Sequence, residues 1–274
     1  MQQNKDLEET MDGNNGVFKA IQHKLRETEK MNNIKIPLAI ESGSRGWGFA
    51  SPDSDYDCRF VYVHEKDWYL SVFEKPDVIE YSADKIFDVN GWDLRKFIAH
   101  VVKSNAVMFE WLSSNEVYKC DGAVTALLRE LAGSFFNPVS VSHHYLSMAY
   151  KKYREILEAG SVKLKKYFYV LRPLANLAYI EQYGKQPYME YFRTLAEIDI
   201  DKAVADEIAR LAGLKRVSDE SMVIPRNIVL TDYFTAELRN HEERLKSTRY
   251  EKNRDYEQAD AAFRLIIEMV WGNG

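Results

Sequence analysis

Gly43-Ser44-Arg45-Gly46-Trp47-Gly48-Phe49-Ala50-Ser51-Pro52-Asp53-Ser54-Asp55-Tyr56-Asp57 is the stretch on which the reading of the chain turns. Before it, Ile34 to Ile40 is a short apolar, β-branched run containing Pro37. This predicts a strand entering the turn at Gly43, with the proline at its beginning or on an edge. After it, Asp55 to Val63 alternates: Tyr56, Cys58, Phe60 and Tyr62 point one way, and Asp55, Asp57, Arg59, Val61 and Val63 the other. Asp55, Asp57 and Arg59 therefore share one end of one face.

Gly43 and Ser44 offer backbone N–H groups and a hydroxyl where a helix is expected to start, a setting that favours phosphate oxygens. The spacing is not that of a Walker loop. Two aspartates two residues apart on a strand have Cα atoms roughly 6 to 7 Å apart. Asp55 and Asp57 can thus converge on paired divalent ions, the arrangement used for in-line phosphoryl and nucleotidyl transfer. Mg2+ (or Mn2+) suits an all-oxygen site that also takes substrate phosphates. A third carboxylate is expected from a neighbouring strand. Asp88 is chosen, at the end of the Lys85 to Val89 run, with Glu80, Asp84 and Asp93 as rivals. A calcium loop starting at Asp53 fails, because Cys58 and His64 stand where its glycine and bidentate glutamate belong.

Other residues carry two readings each. Arg59 is either a phosphate contact or a counter-ion to the aspartates, and Arg45 either reaches a triphosphate or is an exposed arginine at a helix start. Trp47 and Phe49 read as core, and Cys58 as a small buried hydrophobe. Lys166, Tyr169 and Arg172 recur at steps of three on a long predicted helix, so they can share a face toward a nucleotide. Their neighbours Phe168, Leu171, Leu174 and Ala175 supply a core face. His143 and His144 are adjacent on a helix, about 100° apart, and make poor joint ligands.

Outward from this stretch, Val17 to Met31 has one apolar helical face. Val78 to Tyr81 and Lys85 to Val89 read as strands, and Asn90-Gly91 as a turn before a helix from about Trp92 to Val102. After Asn137-Pro138 the pattern becomes helical, at about 140–159, 161–183, 200–214, 230–247 and 254–271, and strand signals nearly vanish. The expected fold class is α+β: a catalytic domain over 1–137 with a mixed β-sheet flanked by helices, then an α-helical bundle over 138–274 that binds substrate.

The chain has 274 residues, 46% of them hydrophobic, and a net charge of -5. That balance argues against a protein that coats nucleic acid through a broad basic surface, while leaving room for a local basic cleft. Two cysteines are too few for a disulfide framework, and a reducing cytoplasm fits. The N-terminus, Met1 to Gly16, lacks the apolar core of a signal peptide, and no apolar run approaches a membrane span.

Gly43-Ser44 followed by Asp55-Tyr56-Asp57 resembles the glycine-serine and D-x-D signature of the DNA polymerase beta-like nucleotidyltransferase superfamily. The extended form, with Ser54-Asp55-Tyr56-Asp57-Cys58-Arg59-Phe60, looks like the RlaP-type nucleotidyltransferases, a branch linked with RNA repair ligases. Gly91-Trp92-Asp93-Leu94-Arg95-Lys96 and Tyr169-Val170-Leu171-Arg172-Pro173-Leu174 add to the match, which spans about residues 36–180. The resemblance implies that Gly43, Ser44, Asp55 and Asp57 are nucleotide and metal residues, with Asp88 where a third carboxylate belongs. The activity expected is transfer of a nucleoside monophosphate from a nucleoside triphosphate to a hydroxyl. The resemblance favours an RNA 3′ end as acceptor; a small molecule, a protein side chain, or nucleotide sensing without turnover remain alternatives.

Overall fold

The computed structural model describes residues 14–84 and 87–272. The polar N-terminus up to residue 13, and Lys85 and Ile86 of the strand expected at 85–89, lie outside the described residues, as does the side chain of Asp84. In chain order the elements are α1 (Asn14–Asn32), β1 (Lys35–Glu41), α2 (Gly43–Gly46), β2 (Tyr56–Val63), α3 (Lys66–Tyr69), β3 (Val78–Asp84), β4 (Phe87–Asp93), α4 (Leu94–Val102), α5 (Ala106–Ser113), β5 (Val117–Cys120) and α6 (Gly122–Phe135). There follow α7 (Pro138–Leu157), β6 (Ser161–Lys163), α8 (Leu164–Tyr183), α9 (Tyr191–Leu195), α10 (Lys202–Val217), β7 (Val223–Pro225), α11 (Ile228–Ser247) and α12 (Tyr256–Trp271). Asp or Asn side chains cap α4, α5, α6, α7, α10, α11 and α12 by accepting first-turn amides.

The five-stranded sheet has the order β3-β4-β2-β1-β5. Its β2 and β4 run parallel and the other pairs are antiparallel, so the sheet is mixed as expected. Alternation along β2 sorts its two faces. Cys58, Phe60 and Tyr62 pack with Val17, Ile21 and Leu25 of α1, and Val61 and Val63 face the large cluster that includes α4 to α8. The face that carries Asp57 and Arg59 is therefore the one turned toward the helical half. A single apolar cluster runs from β1 through α8 to α12, and α12 returns to pack on α4 and α6.

One local expectation is corrected. Asn90-Gly91 is not a turn: both residues lie inside β4, and the helix starts at Leu94 with Asp93 as its cap. Gly91 is there for packing, since a Cβ at this position would come within 2.1 Å of the Phe60 ring. Pro37 lies near the beginning of β1, as its third residue, and not on an edge, because β1 lies between β2 and β5. It sits where the β1–β2 register breaks, between Lys35 and Leu38, so Ile36 and Leu38 turn to opposite faces. Finally, the C-terminal half holds one strand pair, β6 with β7. Among the described residues no helix is long and apolar enough to cross a membrane.

Candidate active site

β1 ends at Glu41, and Ser42 N–H donates to the Asp57 carbonyl at 2.8 Å. Gly43 then takes φ +60°, the left-handed region where a side chain is strained. A Cβ there would lie 1.8 Å from Asp57 Oδ2, so the turn passes the carboxylate closely only because Gly43 has none. The helix expected here is a single turn, closed by Trp47 N–H to the Gly43 carbonyl at 2.9 Å. One turn has almost no macrodipole, and what Gly43 and Ser44 offer is the unpaired N–H groups of a first turn.

The parallel register sets Asp57 of β2 directly beside Asp88 of β4. Arg59, two residues along the same face, reaches both: its Nη2 lies 3.3 Å from Asp57 Oδ1 and 2.6 Å from Asp88 Oδ2. Burial raises the Asp57 pKa; Arg59 opposes that, and the charges of Asp88 and Asp55 add to it. Asp55 itself is exposed and stands one residue before β2, so the strand does not hold both aspartates. Arg45 explains why: its Nη2 donates to the Ser54 carbonyl at 2.7 Å and its Nε to the Asp55 carbonyl at 3.2 Å. These carbonyls are thereby kept off the sheet ladder, and the Arg45 guanidinium stacks on Tyr56 at 3.9 Å.

Glu41 supports the pair from the opposite face of the sheet. Its Oε1 accepts the Asp57 N–H at 2.9 Å, and its Oε2 accepts from the Tyr118 hydroxyl. Burial pushes its pKa up to about 7 against these two hydrogen bonds. Sequence reasoning did not single out Glu41; a lone acid at the end of an apolar strand is the only signal it leaves.

The loop after the turn is fastened to the helical half. Ser54 Oγ donates to Glu220 Oε1 at 2.6 Å, and Glu220 N–H donates to Asp53 at 2.9 Å. Glu220 also pairs with Lys165 at 2.5 Å and lies 3.8 Å from the buried Lys215, whose Nζ donates to Ser51 Oγ. Burial works against the Lys165 charge, but Glu220, Tyr169 and Asp55 outweigh it and its pKa is raised. Lys165, one position before the lysine selected from the sequence, is thus the α8 cation electrostatically coupled to Asp55.

Of the three α8 residues expected to share a face, Tyr169 packs edge-on against Trp47 and feels the charges of Lys165 and Asp57. Lys166 instead pairs with Glu155 of α7 at 3.1 Å. Arg172 is buried, paired with Glu110 and stacked on Trp47 at 4.0 Å. The reason is that α8 is buried on nearly all sides from Val170 to Leu177, so a cation in that span needs an internal partner. Gly43, Ser44, Asp57, Arg59 and Asp88 are therefore brought together, and Lys166 and Arg172 are not. Among the rivals for a third carboxylate, Glu80 accepts from Asn90 at 2.6 Å, and Asp93 is buried as the α4 cap with the Tyr69 hydroxyl on it. His143 is exposed, and His144, partly buried, has its pKa lowered by that burial.

The donor set Asp55, Asp57 and Asp88 is all oxygen and suits a hard divalent cation. Arg59 already supplies positive charge between Asp57 and Asp88, and the Gly43 turn passes close against the Asp57 carboxylate. Among the described residues no three acidic, histidine or cysteine groups already close on a common point. The residues fit a metal in the chemistry of their donors, while the position between Asp57 and Asp88 is taken by the Arg59 guanidinium.

Comparison with known proteins gives the family. The chain is 36% identical over 250 residues to "Uncharacterized protein YcgL" of Bacillus subtilis (strain 168), covering 91% of this chain and 96% of that one. A nucleotidyltransferase-like protein from Exiguobacterium sibiricum 255-15 also aligns in structure, at 12% identity and a TM-score of 0.31, over 83% of this chain and 75% of that one. Residues 17–265 match the model of one family, and the chain belongs to that family: RlaP, the RNA repair pathway DNA polymerase beta family, within the nucleotidyltransferases of DNA polymerase beta type.

Proposed function

We propose that the protein transfers a nucleoside monophosphate from a nucleoside triphosphate to an acceptor hydroxyl, the acceptor being an RNA 3′ end. The observation that carries this reading is the register of Asp57 against Asp88, with the Gly43 turn beside the Asp57 carboxylate. In the step proposed, the acceptor oxygen bonds to the α-phosphorus, the bond from that phosphorus to the α–β bridging oxygen breaks, and pyrophosphate leaves. The acceptor proton passes to Asp88, the most exposed carboxylate of the pair at 56%. Asp55, Asp57 and Asp88 would hold Mg2+ or Mn2+, which when bound supplies charge neutralisation of the phosphates. Gly43 and Ser44 orient the β and γ phosphates through backbone N–H groups. Lys165 and Tyr169 are placed to receive the triphosphate or base, and Arg59 must release at least one carboxylate for the ion to enter.

Incubating the full chain with each labelled triphosphate, Mg2+ or Mn2+, and acceptors that include an RNA ending in a 3′-hydroxyl tests the reading. Label is expected on the RNA, lost when the 3′ end is deoxy or phosphorylated and abolished by Asp57→Asn. Label on a small molecule or protein instead would replace the acceptor. The Arg59 bridge favours one second reading, a nucleotide-sensing module without turnover: nucleotide binding that survives Asp55→Asn and Asp57→Asn, with no transfer by the wild type, would establish it.

A further inference from the structure

One cavity lies away from these carboxylates, and no residue of the Asp57 cluster lines it. Its shape follows from two helices. Leu94, Phe97 and Val101 of α4 are fully buried, and α4 packs on β2 and β4. The next strip round the helix, Arg95, Ile98, Ala99, Val102 and Lys103, lines a cavity of about 710 Å³. Tyr256, Ala259, Asp260, Phe263 and Arg264 of α12 line it from the other side. Both sets run at i, i+3, i+4, i+7 and i+8, so each is one helical face. Lys252 and Arg254, just before α12, form a third wall. That segment is fastened rather than loose: Asn253 Nδ2 donates to the Ser134 carbonyl at 2.9 Å, and Asp255 caps α12 through Gln258 N–H at 3.0 Å.

The walls carry five cations, Arg95, Lys103, Lys252, Arg254 and Arg264, against the single carboxylate of Asp260, on a chain whose net charge is -5. Elsewhere surface cations take acidic neighbours, as in Lys202–Asp206 and Arg239–Glu243. Here Lys103, Lys252, Arg254 and Arg264 make no side-chain hydrogen bond or ion pair among the described residues. Arg95 donates to the Tyr69 carbonyl at 3.0 Å and lies over the Phe263 ring at 5.7 Å. Four unpaired cations facing one cavity repel each other, and an anion of several charges relieves that repulsion. The floor of Ile98, Val102, Ala259 and Phe263 is apolar, which a bare phosphate cannot use. A volume of this size suits one small ligand with a ring and a charged tail rather than a polymer.

We propose that this cavity is a second, metal-independent site that binds a nucleoside polyphosphate, with the phosphates among Lys103, Lys252, Arg254 and Arg264 and the base or sugar on the Phe263 floor. The site stands apart from the transfer reaction and does not depend on it. ATP titrated calorimetrically into the full chain in EDTA, which removes the divalent ions the Asp57 cluster would need, tests it. A single saturable site is expected, weakened at least about tenfold by Lys103→Glu with Arg264→Glu. Asp57→Asn is expected to change it by less than about twofold. Lys252→Ala with Arg254→Ala gives a milder loss and guards against misfolding of the charge-reversed chain, which melting curves would reveal. Inorganic tripolyphosphate is expected to bind more weakly than ATP. No saturable heat at millimolar ATP, or equal affinity in both double variants, overturns the site. Equal affinity for tripolyphosphate overturns the role of the apolar floor. A 5′-phosphorylated RNA oligomer that binds through the same residues more tightly than ATP overturns the choice of a mononucleotide.

Discussion

Gly43 and Asp57 fit each other atom against atom, because the turn can pass the carboxylate only without a Cβ. Gly43→Ala is expected to lower unfolding stability by about 1–3 kcal/mol, from the left-handed φ and the displaced Asp57. It should reduce nucleotide transfer on the order of a hundredfold, since the reacting geometry is misplaced. Urea unfolding and a transfer assay check the two effects separately. Glu41 supplies a pH prediction. Its folded pKa, about 7, lies above its ordinary value of 4.5, so the fold prefers the protonated acid. Stability from this group is full below about pH 4.5, falls as pH rises and is lost by about pH 7. Glu41→Gln keeps an acceptor for the Asp57 amide, and unfolding midpoints across that range should slope less in the variant than in the wild type. Sequence spacing placed Gly43 and Ser44 in a turn and Asp57 on the following strand because a turn and a strand are local, whereas Asp88 was selected beside a turn at Asn90-Gly91 that is in fact strand. It placed Asp55 on the strand wrongly, since the Arg45 hydrogen bonds that end the strand early depend on a side chain folding back across nine residues.

At the scale of the element, β4 shows how a turn dipeptide can be overridden. Asn-Gly favours a turn locally, yet Gly91 is held in the strand by the parallel ladder to Phe60 and by the ring that fills its missing side chain. Gly91→Ala is expected to destabilise by about 1–3 kcal/mol through overpacking. Combining it with Phe60→Leu should cost less than the two changes added together, a coupling that a double-mutant cycle of unfolding free energies measures. The same parallel pairing places Asp88 beside Asp57, so strand pairing does more for the site than the sequence of β4 does alone. Helices were legible almost throughout the C-terminal half, where apolar periodicity and Asp or Asn caps coincide. The pair β6 and β7 was not, because three-residue strands stabilised by a partner some sixty residues away leave no periodic trace.

The whole molecule is joined across its two halves by charged groups as well as by apolar surface. Glu220→Ala removes the partner of Lys165, of the buried Lys215 and of Ser54 together. A loss of about 2–4 kcal/mol is expected, because Lys215 would be left buried with only Ser51. Urea unfolding of Glu220→Ala beside Glu220→Gln, which keeps the hydrogen bonds, separates charge from contact. Arg172→Ala should cost about 3–5 kcal/mol by leaving Glu110 buried without its cation, a loss read in the same way. By itself the sequence determined the mixed sheet followed by helices and the glycine turn leading into the aspartate strand, since each rests on period, spacing or a backbone need within a few residues, but it left α5, β5 and α6 unread. Only the tertiary structure decided that Lys165 rather than Lys166 or Arg172 is coupled to the carboxylates, that Glu41 holds the Asp57 backbone, and that five cations meet in one cavity. Those outcomes depend on which helix face a neighbour buries, and burial decides whether a charge must find a partner inside the fold or can remain in water.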